Sequence, residues 1–168
     1  KSELDELFRL MEEEFSAIYY SGYIHVKKIK VQVIGNRKLL PEHLLQAIKK
    51  IELATQNYDN YYLQIALGYG GHQEIVDIIN EYYFASAESL KMMTAEMLSQ
   101  QTYCKRIGVP EVDLILRTGS TKRTSGFLLW ESAYAELEFI NTLWPNLSEI
   151  CYLQAIKSFL PRKRNFGS

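Results

Sequence analysis

The sequence predicts an α/β fold, an open and mostly parallel sheet with helices on both faces, and three observations carry that prediction. Strand-like segments at Ile29 to Val33, Tyr62 to Leu67 and Val112 to Leu116 alternate with stretches whose apolar residues recur at helical spacing. The first two segments close on turn residues, Gly35-Asn36 and Gly68-Tyr69-Gly70-Gly71. The third is apolar almost without a break, as suits a parallel strand covered on both faces. Strands and helices in alternation favour parallel pairing by crossover helices. In such sheets ligands sit beyond the carboxyl ends of the strands, so the chemistry is to be sought just after Leu67 and just after Leu116.

Taken in order, Leu4, Leu7, Phe8, Met11, Phe15 and Ile18 form the apolar stripe of an opening helix, with Glu3, Asp5, Glu6 and Glu12 to Glu14 on its other positions. That helix is expected to end near Gly22. Ile29, Val31 and Val33 alternate with Lys30 and Gln32 in the first strand. Pro41 opens a second helix whose buried stripe is Leu44, Leu45, Ile48 and Ile51. After the glycine-rich turn at 68–71, Ile75, Val76, Ile78 and Ile79 resume helical spacing. Glu81 to Tyr103 carries no sharp signal. Phe127 to Leu137 reads as a helix, Glu138 to Ile140 as a strand, and Leu147 to Phe159 as a last helix.

Size and charge bound the function. At 168 residues and 47% hydrophobic the chain suits one core, and residues 1–168 are read as a single domain. A net charge of −1 advertises neither nucleic-acid nor membrane-surface binding, so any anion site must be local. Cys104 and Cys151 are the only cysteines, which argues against a disulfide framework or a structural zinc. No apolar run reaches the roughly 20 residues that span a bilayer. A soluble, cytoplasmic protein is expected.

The strongest local signal is the loop Arg117-Thr118-Gly119-Ser120-Thr121-Lys122-Arg123-Thr124-Ser125-Gly126. It combines three cations, a run of hydroxyl side chains and two glycines. Arginine forks match phosphate oxygens, hydroxyls add donors and glycines let backbone amides approach. A solvated polar loop has the same composition. The position beyond a buried strand favours a phosphate cradle. Gly68 to Gly71 matches no dinucleotide or lysine-bearing phosphate loop and reads as structural. His72 reads as a helix-start residue rather than a catalyst, and His25 and His43, with no evident partners, are likewise not read as catalytic. Glu136 stands in a mostly apolar run, where a carboxylate needs a cation; a salt bridge and a metal ion both satisfy it. The basic tail from Arg162 to Gly167 is either a solvated terminus or a cover for an anion.

Read together, Asp113 to Arg117, Thr118-Gly119, Arg123, Ser125, Phe127-Leu128-Leu129-Trp130, Ala133-Tyr134, Glu136-Leu137, Phe139 and Leu143-Trp144-Pro145 resemble the signature of the cis-prenyltransferases. Ile34-Gly35, Leu67 to Gly71 and the tail from Arg164 to Gly167 fit the same family in the same order. The resemblance implies an α/β enzyme, homodimeric or heterodimeric, that condenses isopentenyl diphosphate with an allylic diphosphate such as farnesyl or geranyl diphosphate, using Mg2+. By the same resemblance Arg117, Arg123 and Ser125 hold the diphosphate of isopentenyl diphosphate, Glu136 is associated with Mg2+, and Arg164 and Gly167 belong to a tail that closes the site. The growing chain needs an apolar path, for which the face of Leu7, Phe8, Met11, Phe15 and Ile18 is a candidate. No nucleic-acid partner is implied, and membrane contact is expected only at the periphery, through the product.

The sequence also departs from the family. The Asp-Gly-Asn-x-Arg-Trp segment, whose aspartate is the expected catalytic and metal-binding residue, belongs before Lys1. Thr121 stands where glutamate is usual, Gly126 where asparagine or aspartate is common, and His72 where arginine is frequent. These departures keep open a second reading, a non-catalytic subunit of a heteromeric prenyltransferase. A nucleotide-binding α/β module, a third reading, lacks the fingerprint it needs.

Overall fold

The computed structural model describes residues 2–85 and 92–163. The chain divides into two compact units, 1–69 and 70–168.

The first unit opens on helix α1 (Ser2–Tyr20), as expected. It ends at Tyr20, close to Gly22 as expected, but no loop follows. After Ser21 the backbone re-enters a short helix α2 (Gly22–Lys27), which stops where Lys28 turns left-handed at φ 51°. Strand β1 (Ile29–Ile34) follows, then a single 3-10 turn, Arg37–Leu39, capped by the Asn36 side chain. Pro41 caps helix α3 (Glu42–Thr55). Strand β2 (Tyr61–Ala66) pairs with β1 in parallel, with Ile29 opposite Tyr61 and Ile34 opposite Ala66.

The core of this unit is the stripe that α3 lays on β1. Leu44, Ile48 and Ile51 are fully buried beside Val31 and Val33, and each such side chain contributes roughly 1.5–3 kcal/mol. Phe15 joins them, with Phe8, Met11 and Ile18 packed against the cluster. Leu7 does not. It stays exposed, as do Leu4 and Leu10 in the first half of α1, and the three line an open groove of about 600 Å3. The stripe read from the sequence therefore splits into residues packed against the core and residues left exposed.

The outer edge of β1 is met by side chains of α3. The buried Thr55 accepts a hydrogen bond from the Val31 amide at 3.1 Å and donates to the Ile51 carbonyl at 2.9 Å. Glu52 accepts from the Val33 amide at 2.9 Å, while Arg37 bonds both Glu52 and the Val33 carbonyl. Nearby, His25 is held through both ring nitrogens, by Tyr58 Oη at 2.9 Å and the Tyr19 carbonyl at 2.7 Å. Because a carbonyl only accepts, Nε2 carries the proton. This histidine is a structural link.

The second unit begins with helix α4 (Gly71–Ala85). Two short helices, α5 (Ala95–Gln101) and α6 (Tyr103–Arg106), follow with Thr94 and Thr102 as caps. They occupy the stretch that gave no sharp signal. Strand β3 (Leu114–Thr118) pairs in parallel with β4 (Glu136–Ile140), Leu114 opposite Glu136 and Thr118 opposite Ile140. Helix α7 (Glu149–Phe159), capped by Ser148, ends the described chain.

The helix expected from Phe127 to Leu137 does not form. Residues 125–134 run as successive turns, and the strand starts at Glu136. Left-handed residues break the helix at its start: Ser125 has φ 53° and Leu128 φ 45°. The fold is mixed α/β, with both strand pairs parallel.

Candidate functional site

Arg117 is the next-to-last residue of β3, so its side chain leaves at the carboxyl end of the strand. Just beyond it the Gly119 amide donates to the carbonyls of Ile140 and Thr142, each at 2.9 Å, which ties the loop to the end of β4. The loop then returns to Arg117. Its Nη1 donates to Ser125 Oγ at 2.9 Å and to the Arg123 carbonyl. Three residues expected in one site, Arg117, Arg123 and Ser125, are thus drawn together by the first of them.

An arginine carries five N–H donors in a planar fork. Both hydrogens of Nη1 go to the loop. Nε and Nη2 make no hydrogen bond to any described residue, and they are the side-on pair that can meet two oxygens of a phosphate. Lys122 and Arg123 are exposed beside it. The backbone strain at this place is real. A non-glycine residue in the left-handed region costs of order 1–2 kcal/mol, and Ser125 adopts it just before Gly126, which has φ 73°. The Arg117 bond and a bond from the Gly71 amide to the Gly126 carbonyl at 3.1 Å hold the turn against that cost.

Glu136 is not part of this cluster. It opens β4 opposite Leu114, three residues from Arg117 along the neighbouring strand, a separation of about 10 Å. Its carboxylate meets Arg162 Nη1 at 3.3 Å, and the same guanidinium binds Glu138 and, at 2.9 Å, Ser158 Oγ. Between the two open readings of Glu136, the structure displays the salt bridge. These carboxylates hold the Arg162 guanidinium above its ordinary pKa, Glu138 most strongly. Arg162 takes both carboxylates in this arrangement, and among the described residues no three His, Cys, Asp or Glu are grouped to hold a metal ion; a single carboxylate would need substrate phosphates to complete a Mg2+ site. Arg164 and Gly167 lie outside the described residues.

The carboxylate that is deeply buried in the apolar run is a different one. Glu131 is 4% exposed, and neither of its oxygens has a hydrogen-bond partner among the described residues. Burial pushes the Cys104 thiol up to about 12, with Glu131 and Glu74 as the next causes. A cavity of about 370 Å3 lies in this region, lined by Ser99, Thr102, Lys105, Trp130 and Tyr134 among others. None of the three cradle residues lines it. The sequence signal for Glu131 was the same as for Glu136, a lone acid among apolar neighbours, and the turns of 125–134 decide which of the two is enclosed.

Glu74, buried at 3%, had no sequence signal; its Oε1 accepts the Tyr103 amide at 2.7 Å and fixes α4 to the start of α6. In the glycine-rich turn, Gly71 lies against Gly126 and Leu129 and not against open space.

The model of the family described as "Putative undecaprenyl diphosphate synthase" matches residues 1–167. A tritrans,polycis-undecaprenyl-diphosphate synthase (geranylgeranyl-diphosphate specific) of Methanopyrus kandleri is 41% identical, over 99% of this chain and 62% of its own length. The protein of the same name in Thermoplasma volcanium is 40% identical over 98% and 64%. The chain thus spans less than two thirds of these relatives. Among solved structures, a probable undecaprenyl diphosphate synthase from Campylobacter jejuni superposes with a TM-score of 0.85 at 29% identity, covering all of this chain and 76% of the other. Lavandulyl diphosphate synthase from Lavandula x intermedia, in complex with dimethylallyl diphosphate, gives 0.89 at 26% identity, covering all of this chain and 72% of the other.

Proposed function

The chain belongs to the undecaprenyl diphosphate synthase family, and from that premise we propose that it binds isopentenyl diphosphate through Arg117, Arg123 and Ser125 for condensation with an allylic diphosphate. The observation that carries the reading is the Arg117 guanidinium, pinned through Nη1 by Ser125 and the Arg123 carbonyl, with Nε and Nη2 left for a phosphate. In the reaction a carbon–carbon bond forms between the two isoprenoids, the allylic C–O bond breaks, diphosphate departs with the bonding electrons and the new unit loses a proton. Two diphosphates in one pocket repel each other. Cationic forks offset that repulsion and stabilise the leaving group.

Mg2+ belongs to this reading as a counter-ion of the diphosphates, and Glu136, held by Arg162, is not assigned to it. The relatives' names point to geranylgeranyl diphosphate as the first allylic substrate to try, ahead of farnesyl and geranyl diphosphate. The exposed leucines of α1, Leu4, Leu7 and Leu10, suit an apolar chain. Among the described residues no helix is long and apolar enough to cross a membrane; contact with one is proposed only through the polyprenyl product. The active form is proposed to be a homodimer or heterodimer.

The test is incubation of the protein with labelled isopentenyl diphosphate, each allylic diphosphate and Mg2+, alone and with candidate partner subunits. A ladder of elongated products is expected. No product under any partner condition sinks the catalytic reading. Thr121, Gly126 and His72 favour one alternative, a binding subunit without activity of its own; retained isopentenyl diphosphate binding with turnover only in a heteromer identifies it.

A further inference from the structure

We infer that Gly71, which is placed against no ligand, is a positioning residue for the diphosphate cradle. The inference rests on the reading of Arg117, Arg123 and Ser125 as that cradle. Two glycines adjoin at the start of α4, and only one of them is under steric pressure. A Cβ on Gly70 would meet nothing nearer than the Gln73 Cβ at 4.0 Å. A Cβ on Gly71 would stand 2.3 Å from the Gly126 carbonyl oxygen and 2.7 Å from the Leu129 Cβ. Neither of those atoms belongs to a side-chain end that can swing away.

The contact is also a hydrogen bond. The Gly71 amide donates to that same Gly126 carbonyl at 3.1 Å, so the first turn of α4 grips the turn that carries Ser125. The helix is a firm support, because the buried Glu74 ties it to the Tyr103 amide at 2.7 Å. The turn is the softer partner: Ser125 and Gly126 are both left-handed, and a Cβ on Gly126 would meet nothing within 4 Å. A methyl group on Gly71 therefore displaces Gly126. Restoring ordinary contact takes a shift of about 1 Å, and a hydrogen bond, whose useful range is only about half an ångström wide, does not survive a displacement of that size. Gly126 is bonded to Ser125, and Ser125 Oγ accepts from Arg117. The displacement is passed straight to the fork.

The experiment compares Gly71→Ala, Gly70→Ala and the wild-type protein. Calorimetry measures the Kd of isopentenyl diphosphate and of geranylgeranyl diphosphate, and hydrogen exchange follows the amides of 118–130 without ligand. Gly71→Ala is expected to weaken isopentenyl diphosphate at least tenfold, leave the allylic Kd unchanged and speed exchange in 118–130. Gly70→Ala is expected to do none of these. Glu74→Ala unties α4 without adding an atom near the loop; it is expected to give the same split in weaker form and serves where Gly71→Ala does not fold.

Equal loss of both ligands, equal effects of the two glycine variants, or unchanged exchange in 118–130 overturns the inference. An isopentenyl diphosphate Kd that neither Gly71→Ala nor Glu74→Ala changes does the same. A wild-type protein that binds no isopentenyl diphosphate, with exchange in 118–130 still faster in Gly71→Ala, overturns the functional reading and leaves the mechanical link between Gly71 and the loop standing.

Discussion

Replacing Arg117 by lysine separates the fork from the charge. In the protein Nη1 is committed to Ser125 and Arg123, and Nε and Nη2 remain for the ligand. A lysine ammonium has three hydrogens on one nitrogen and cannot hold the loop and two phosphate oxygens together. Hydrogen bonds to charged groups are each worth about 1.5–3 kcal/mol. Lysine keeps the charge and one donor toward phosphate, so the net loss is about one such bond, about 1.5–3 kcal/mol, or roughly 10- to 150-fold in Kd. Arg117→Ala removes the charge as well and is expected to lose at least about 2 kcal/mol. Lys122, exposed in the same loop, is the control, and Lys122→Ala is expected to change Kd less than about threefold. Calorimetric titration with isopentenyl diphosphate reads all three, with the thermal midpoint of each variant confirming that it is folded. An Arg117→Lys protein that binds as tightly as the wild type refutes the fork argument and moves the site elsewhere.

Three further outcomes follow from groups outside the cradle. Thr55→Val keeps the shape of a fully buried side chain but strands the Val31 amide, so urea unfolding should show about 1–3 kcal/mol less stability with an unchanged slope; a loss below that range argues that the amide finds another partner. The Cys104 thiol is pushed from 9.0 up to about 12 chiefly by burial. Native protein at neutral pH should therefore expose Cys151 to a thiol reagent and protect Cys104. Because the unfolded thiol ionises first, its contribution to stability is complete below pH 9 and is lost as the pH rises to about 12, which pH-dependent unfolding measures. Arg162→Met leaves Glu136 and Glu138 on one face of β4 without their shared cation. The thermal midpoint should fall, and the gap from wild type should narrow in high salt, since salt weakens the wild-type attraction and the variant's repulsion alike. A gap that is the same at all salt concentrations contradicts the ion-pair account.

What could be read from residues alone follows a physical division. The strands and the α3 stripe were legible because periodicity reports which face is buried: Leu44, Ile48 and Ile51 all enter the core. The run 117–126 was legible because its residue types are rare together, but the strand before it begins and ends two residues later than Val112 to Leu116, so Arg117 and Thr118 close β3 and only 119–126 lie beyond it. Local apolar content misled at Phe127 to Leu137, where left-handed Ser125 and Leu128 replace the helix by turns. No local pattern announces a left-handed serine. For the same reason the buried acid was assigned to Glu136 when Glu131 is the enclosed one. Glu136 owes its partner to Arg162, which arrives from beyond α7, a distance in sequence that no window along the chain spans. The α1 stripe failed in part because helical spacing marks which residues are apolar and cannot say that Leu7, one turn before Met11, stays exposed while Met11 packs against the core.

The side chains that α3 lays along β1 also bear on solubility. A parallel strand with an open flank is a template for another chain, and proteins in crowded solution aggregate by that route. Here the Val31 amide is occupied by a hydroxyl, the Val33 amide by a carboxylate and the Val33 carbonyl by a guanidinium. The flank is covered by Thr55 and Glu52 of α3 together with Arg37 of the 3-10 turn before it. With these groups taken, the flank of β1 away from β2 offers a second chain few free partners, and the strand pairs on its other side with β2.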